Sequence, residues 1–209
     1  EMQDTGEDYI KQIADAVEDS PLQFNAWVVG CHSSTLGMKH EEYALRSPFG
    51  DRLAFGLCPS QPAVQEYLTT MLTDIDRYGF EDMLLETFHY FHGSGWGWHH
   101  EKFHTDIGEL GEYLLGLCFC EECQANATDA GVNVEAARER SQDAILQLAE
   151  GGLSSEISAK EWVKNNEAVE EYSKVRKETL NSLYPELTSA TDANIGAFIW
   201  MNGVNNSWM

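Results

Sequence analysis

Basic residues are scarce. The 209-residue chain has 13 Lys and Arg against 35 Asp and Glu, a formal net charge of -22, and such a surface repels nucleic acid and anionic membranes. The acid is spread along the chain rather than gathered into a tail, which suits a solvated, salt-adapted surface better than a binding patch. No run of about 18 consecutive apolar residues exists, which excludes a membrane-spanning helix. No basic segment followed by an apolar one opens the chain, so a secretion signal is not expected. Cysteine is limited to five residues. An odd number without a secretion signal argues against a disulfide framework and for metal ligation or free thiols in a reducing, cytoplasmic compartment. No internal repeat or low-complexity tract is present.

What is there suffices for one well-buried domain, since 43% of the residues are apolar and 11% aromatic. Residues 7–18 place Ile10, Ile13, Ala14 and Val17 at helical spacing, and Ser20-Pro21 ends that element. Residues 24–31, FNAWVVGC, form a short and nearly continuous apolar run, as expected of a parallel strand buried on both faces. A polar loop over 32–51 and a short extended piece ending at Leu57-Cys58 follow. Ser60 as N-cap and Pro62 in the first turn start a helix carrying Val64, Leu68, Met71, Leu72 and Ile75, which Gly79 closes.

Residues 80–88, FEDMLLETF, read as the next buried strand, with Glu86 near its carboxyl end. The segment 89–104 then packs five of the chain's seven histidines, two tryptophans and three glycines into sixteen residues without any period, a loop built for contact. Thr105 caps a short helix reaching Leu117, the cysteine turn follows, helices are expected over 134–148 and 159–184, and 195–201 is a third strand. This order predicts parallel α/β crossovers. A complete eight-stranded barrel needs about 250 residues, so the expectation is α/β with a partial (β/α)8 TIM-type barrel, about its third to fifth βα units, as one incomplete domain over 1–209. It carries an inserted histidine and tryptophan loop with a cysteine knot at 89–125 and a helical excursion at 133–185. Both ends read as cut, and the chain as a piece of something longer.

Cys118-Phe119-Cys120-Glu121-Glu122-Cys123 brings three thiols within six residues, a spacing that lets a tight turn wrap one ion while the chain enters a helix. Cys58, at the head of the helix after the preceding extended piece and on the same rim of the sheet, is the natural fourth ligand. Four thiolates near 2.3 Å close a tetrahedral zinc site with no open position, so the role is structural. Cys31 is left over as a small apolar residue at a strand end.

The stretch 57–62 (LCPSQP), the strand ending on Glu86, and Cys118-x-Cys120-x-x-Cys123 resemble the zinc-bearing barrel of glycoside hydrolase family 42 β-galactosidases and their uncharacterised relatives. The resemblance covers roughly residues 24–125. It implies a structural zinc on Cys58, Cys118, Cys120 and Cys123, Glu86 as acid/base, a carbohydrate substrate, and a nucleophile on a later strand outside this chain, so that the isolated piece has little or no activity. Leu85 stands where that family has Asn. Glycoside hydrolysis needs two carboxyl groups flanking the scissile bond, and Glu86, walled by Phe88, Trp96 and Trp98, can supply the acid. Trp96 and Trp98 are candidates for stacking on sugar faces, and His32, His99, His100 and Glu101 for binding hydroxyls. Two other readings stay open. His100-Glu101-Lys102-Phe103-His104 matches the His-Glu-x-x-His pattern of zinc peptidases, although the glycines around it oppose the helix that pattern requires. A barrel that binds carbohydrate without turning it over is the other.

Overall fold

The computed structural model describes residues 6–91 and 107–198. Within them lie eight α-helices, one 3-10 turn and five strands: α1 (Tyr9–Val17), β1 (Ala26–Val29), α2 (Ser34–Lys39), η1 (Glu41–Tyr43), β2 (Ala44–Arg46), β3 (Arg52–Leu57), α3 (Pro62–Asp76), β4 (Asp82–Glu86), α4 (Gly108–Leu115), α5 (Glu121–Asp129), α6 (Val134–Ala149), α7 (Ala159–Lys164), α8 (Glu167–Ser189) and β5 (Asn194–Phe198). β1, β4 and β5 form a parallel sheet in that order. The fold is therefore α/β, as the alternation of apolar strands and helices predicts. No helix among the described residues is long and apolar enough to cross a membrane.

One face of the sheet is covered. Val28, Met83 and Leu85 alternate with their neighbours to point into a core that includes Leu68 and Leu72 of α3 and Leu187 of α8. Each fully buried side chain of this size contributes about 1.5–3 kcal/mol. The described residues leave the other face less covered: Trp27 is 61% and Val29 41% exposed, and Leu84 and Glu86 are half-buried. This corrects the expectation that β1 is buried on both faces. A short apolar run reports the apolarity of both faces of a strand, not whether a second layer covers each of them.

The stretch 32–51 is not one polar loop. It holds α2, η1 and β2, and β2 pairs antiparallel with β3. The hairpin is tied to the carboxyl end of β1, because Leu57 N–H donates to Cys31 O at 2.8 Å and Ser33 N–H to Phe55 O at 3.0 Å. α2 can lie this close to β3 only because residue 37 is glycine, since a Cβ there would meet Ala54 O at 2.1 Å.

Several element ends also differ. The N-cap of α3 is Gln61 rather than Ser60, whose hydroxyl is used elsewhere, while Gly79 follows the helix at φ +74°. The expected helix over 159–184 is two helices. Asn166 leaves helical geometry, its Nδ2 donates to Trp162 O at 2.7 Å and its Oδ1 accepts from Arg140 at 3.0 Å. α8 then continues through Pro185 to Ser189, with Leu183 and Leu187 buried on either side of the proline. That anchoring offsets the hydrogen bond the proline removes. α1 has the expected helical spacing, yet none of its residues is buried. Thr105 and the part of the third strand beyond Phe198 lie outside the described residues.

Candidate metal centre and strand-end carboxylate

Cys58, Cys118, Cys120 and Cys123 converge. All four are buried, and their sulfurs lie within 4.8 Å of one another. Cys58 Sγ is 3.4 Å from Cys123 Sγ and 3.6 Å from Cys120 Sγ. A tetrahedral ion with metal–sulfur bonds near 2.3 Å spaces its sulfurs about 3.8 Å apart, so this set can hold a metal ion with little adjustment. Cys58 arrives directly after β3, Cys118 and Cys120 lie in the turn after α4, and Cys123 sits in the first turn of α5.

The surroundings are built for negative sulfur. The Arg46 and Cys120 backbone N–H groups donate to Cys118 Sγ at 3.4 and 3.5 Å, and Gln61 Nε2 donates to Cys120 Sγ at 3.7 Å. The neighbouring Cys118, Cys123 and Cys58 thiols hydrogen-bond to Cys120 and hold it well below the usual thiol range. Burial, reinforced by the other three thiols, pushes Cys58 up, and Cys123 is pushed up first by Cys118. Four thiols this close share charge poorly among themselves, and a divalent cation is what lets all four ionise together.

Phe119, the spacer between Cys118 and Cys120, is held through both its ring and its backbone. Its ring stacks on Tyr172 at 4.5 Å and receives the Arg138 guanidinium at 5.4 Å. Its backbone carbonyl accepts from Gln124 Nε2 at 2.7 Å, and Arg138 donates to the same glutamine. Tyr172 reaches the turn itself, its hydroxyl donating to Cys118 O at 2.6 Å.

The thiol cluster is joined to the sheet rim. Ser60 Oγ lies 3.3 Å from Cys123 Sγ and 2.5 Å from the Tyr90 hydroxyl, and Tyr90 stands four residues after Glu86. Glu86 closes β4 on the less covered face, where Trp27 Nε1 donates to its Oε2 at 2.6 Å. Thr87, buried at once afterwards, has φ +58°, a conformation that β-branched residues avoid. Its backbone carbonyl accepts from Cys31 N–H at 2.9 Å and its hydroxyl from His32 N–H at 3.3 Å. Backbone strain of this kind clusters at functional sites.

Of the residues expected from sequence, the four cysteines come together, and Glu86 and His32 both reach the carboxyl rim of β1 and β4. The His32 ring packs edge-on against Phe91 at 5.7 Å and Phe55 at 6.4 Å. Phe88 does not wall Glu86, for its ring is fully buried and would be only 2.7 Å from a Cβ on Gly30. The aromatic partner is Trp27, which sequence reasoning missed. His89, the first residue of the expected contact loop, has its Nδ1 2.7 Å from Tyr90 O, and burial first, with Arg176 nearby, pushes its pKa down. Trp96, Trp98, His99, His100, Glu101 and His104 lie outside the described residues, and with them the His-Glu-x-x-His motif.

Fold and site together define an α/β protein with a four-cysteine, metal-competent cluster at the rim of a small parallel sheet. Compared with known protein families, characterised proteins and solved structures, the chain matches none of them.

Proposed function

We propose that the chain is the acid/base-bearing portion of a cytoplasmic (β/α)-barrel glycosidase, in which Glu86 protonates the glycosidic oxygen and the four cysteines hold a structural zinc. The observation that carries this reading is the position of Glu86: a carboxylate at the carboxyl end of a parallel strand, on the sheet face that the described residues leave less covered, fixed by the Trp27 indole at 2.6 Å. Barrels and open α/β sheets bind their ligands at that end of the strands. The row of exposed Trp27 and Val29 with half-buried Leu84 is the lining such a barrel would enclose once further strands close it.

In this reading Trp27, a donor only, occupies Oε2 and leaves Oε1 for the sugar oxygen. Thr87, buried directly after the acid, is held by hydrogen bonds from Cys31 N–H and His32 N–H, which fixes the backbone that carries the carboxylate. The second carboxylate that the chemistry requires comes from a further strand of the closed barrel. Zinc on Cys58, Cys118, Cys120 and Cys123 takes no part in bond breaking, since four thiolates leave no open position. It fixes the turn that, through Ser60 and Tyr90, anchors the segment following Glu86.

The test is Glu86→Gln in the protein that contains this chain, assayed on glycosides of graded leaving-group quality. Loss of a general acid lowers turnover by about 10²–10⁴-fold, and the loss should deepen as the leaving group becomes poorer. Undiminished hydrolysis by Glu86→Gln sinks the assignment. Sugar binding without turnover by the unmodified protein would point instead to a non-catalytic carbohydrate-binding barrel.

A further inference from the structure

Resting on the reading that the cysteine cluster takes a metal, a second group can be assigned a part in that site. α8 presents Tyr172 and Arg176 one turn apart and therefore on one face. Both reach the segment leading into the cluster: Tyr172 donates to Cys118 O at 2.6 Å, and Arg176 Nη2 to Gly116 O at 3.1 Å. The Arg176 guanidinium lies 4.3 Å over the ring of Tyr90, whose hydroxyl meets Ser60, which in turn meets Cys123 Sγ.

Arg176 has an unusual balance of contacts. A guanidinium is always charged, and this chain carries 35 acidic residues. Yet among the described residues no ion pair includes Arg176. Its Nε is buried without a hydrogen-bond partner. An enclosed cation without a carboxylate is costly unless another negative charge stands near. Geometry ties Arg176 to the knot by two routes, through Gly116 O two residues before Cys118, and through the Tyr90 ring, whose hydroxyl meets Ser60 beside Cys123 Sγ. A divalent ion bound by four thiolates carries a net charge of two minus, and a positive group enclosed beside it offsets part of that.

We propose that Arg176 is a positioning residue for the metal centre, the built-in counter-charge that matches α8 to a tetrathiolate dianion and raises its affinity for a divalent ion. The dependence runs both ways. Metal binding supplies the negative charge that Arg176 lacks, so loading should stabilise the docking of α8 on the 116–119 turn. A purely structural arginine would hold the turn through Gly116 O and leave metal affinity insensitive to its charge.

The test titrates Co(II), with Zn(II) competition, into metal-free protein carrying Arg176→Lys or Arg176→Gln. Lys keeps the charge, and Gln keeps an N–H donor without it. Outer-shell substitutions at metal sites typically cost about 10–100-fold in affinity. The expected result is a loss of about tenfold or more for Gln and within about threefold for Lys, with the same tetrahedral Co(II)–thiolate spectrum at saturation. The rise in melting temperature on loading should also shrink in the Gln variant alone. Should the Gln variant not fold, Arg176→Met takes its place against Lys with the same expectation. Equal affinities in the charged and uncharged variants, whether unchanged or equally weakened, overturn the proposal. Failure of the unsubstituted protein to bind Co(II) overturns the metal reading itself and this inference with it.

Discussion

Trp27 and Glu86 meet diagonally across the paired strands β1 and β4, with Nε1 of one 2.6 Å from Oε2 of the other. Trp27 is level with Leu84, and Glu86 with Val29, so the bond spans two positions of register, within reach of a long side chain on the same sheet face.

Replacing Trp27 by Phe keeps the ring and removes the donor. Trp27 is 61% exposed, so the cost to stability is expected below about 1 kcal/mol, smaller than for an enclosed charge-assisted bond. If the proposed glycosidase function holds, turnover of a glycoside should nevertheless fall in the protein containing this chain, because Glu86 loses the hydrogen bond from Trp27. Denaturant midpoints and kcat measured side by side check this. A stability loss with unchanged kcat would make the contact purely structural.

Thr87 gives a second, purely conformational expectation. At φ +58°, any residue with a Cβ is strained by about 1–2 kcal/mol relative to glycine. Thr87→Ala and Thr87→Gly both lose the hydroxyl that accepts from His32 N–H, but only Gly relieves the strain. Thr87→Gly is therefore expected to be the more stable of the two by roughly 1 kcal/mol, measured by urea unfolding. The reverse order would mean that Thr87 does not adopt this conformation.

The cysteine cluster was legible in sequence because its spacing is that of a metal-competent site: three thiols in a turn, and a fourth where a strand hands over to a helix. Glu86 was legible as a strand-end acid. Its partner was not, because the apolar run around Trp27 looks the same whether one or both faces are covered. β2 is three residues long, too short to show alternation, and α2 contains Gly37, which local propensity counts against a helix although tertiary contact requires it. Arg176 was hidden among the lysines and glutamates of α8. The signal available was its place one turn after Tyr172 on the face that begins with buried Val169.

Gly37 follows from that contact. A Cβ at residue 37 would stand 2.1 Å from the Ala54 carbonyl oxygen, and backbone cannot step aside as a side chain can. Gly37→Ala should destabilise the protein by about 1–3 kcal/mol, despite alanine's better helix propensity. A neutral or stabilising effect would show that α2 does not pack on β3 as described.

Thiol chemistry separates the fifth cysteine from the other four. Burial pushes Cys31 up to about 12 from an ordinary value of 9.0. At pH 8 it should resist a disulfide reagent in the folded protein, with or without a chelator, and react only on unfolding. The same shift fixes a pH dependence. The folded value lies above the unfolded one, so the contribution of Cys31 to stability is fully present below about pH 9 and is lost as pH rises toward 12. Cys31→Ala should flatten the alkaline fall in stability over that window. An unchanged slope would mean that the thiol is not buried in the fold.

The centre of the account is the metal. Metal analysis of untagged protein, combined with a count of reactive thiols before and after chelation, tests it most directly. One zinc per chain is expected, with no reactive thiol in the loaded protein, four appearing on chelation, and loss of the metal in Cys58→Ser as well as in Cys120→Ser. Protein that folds without metal and binds none when zinc is supplied, with Cys58→Ser no different from the unsubstituted chain, would contradict it.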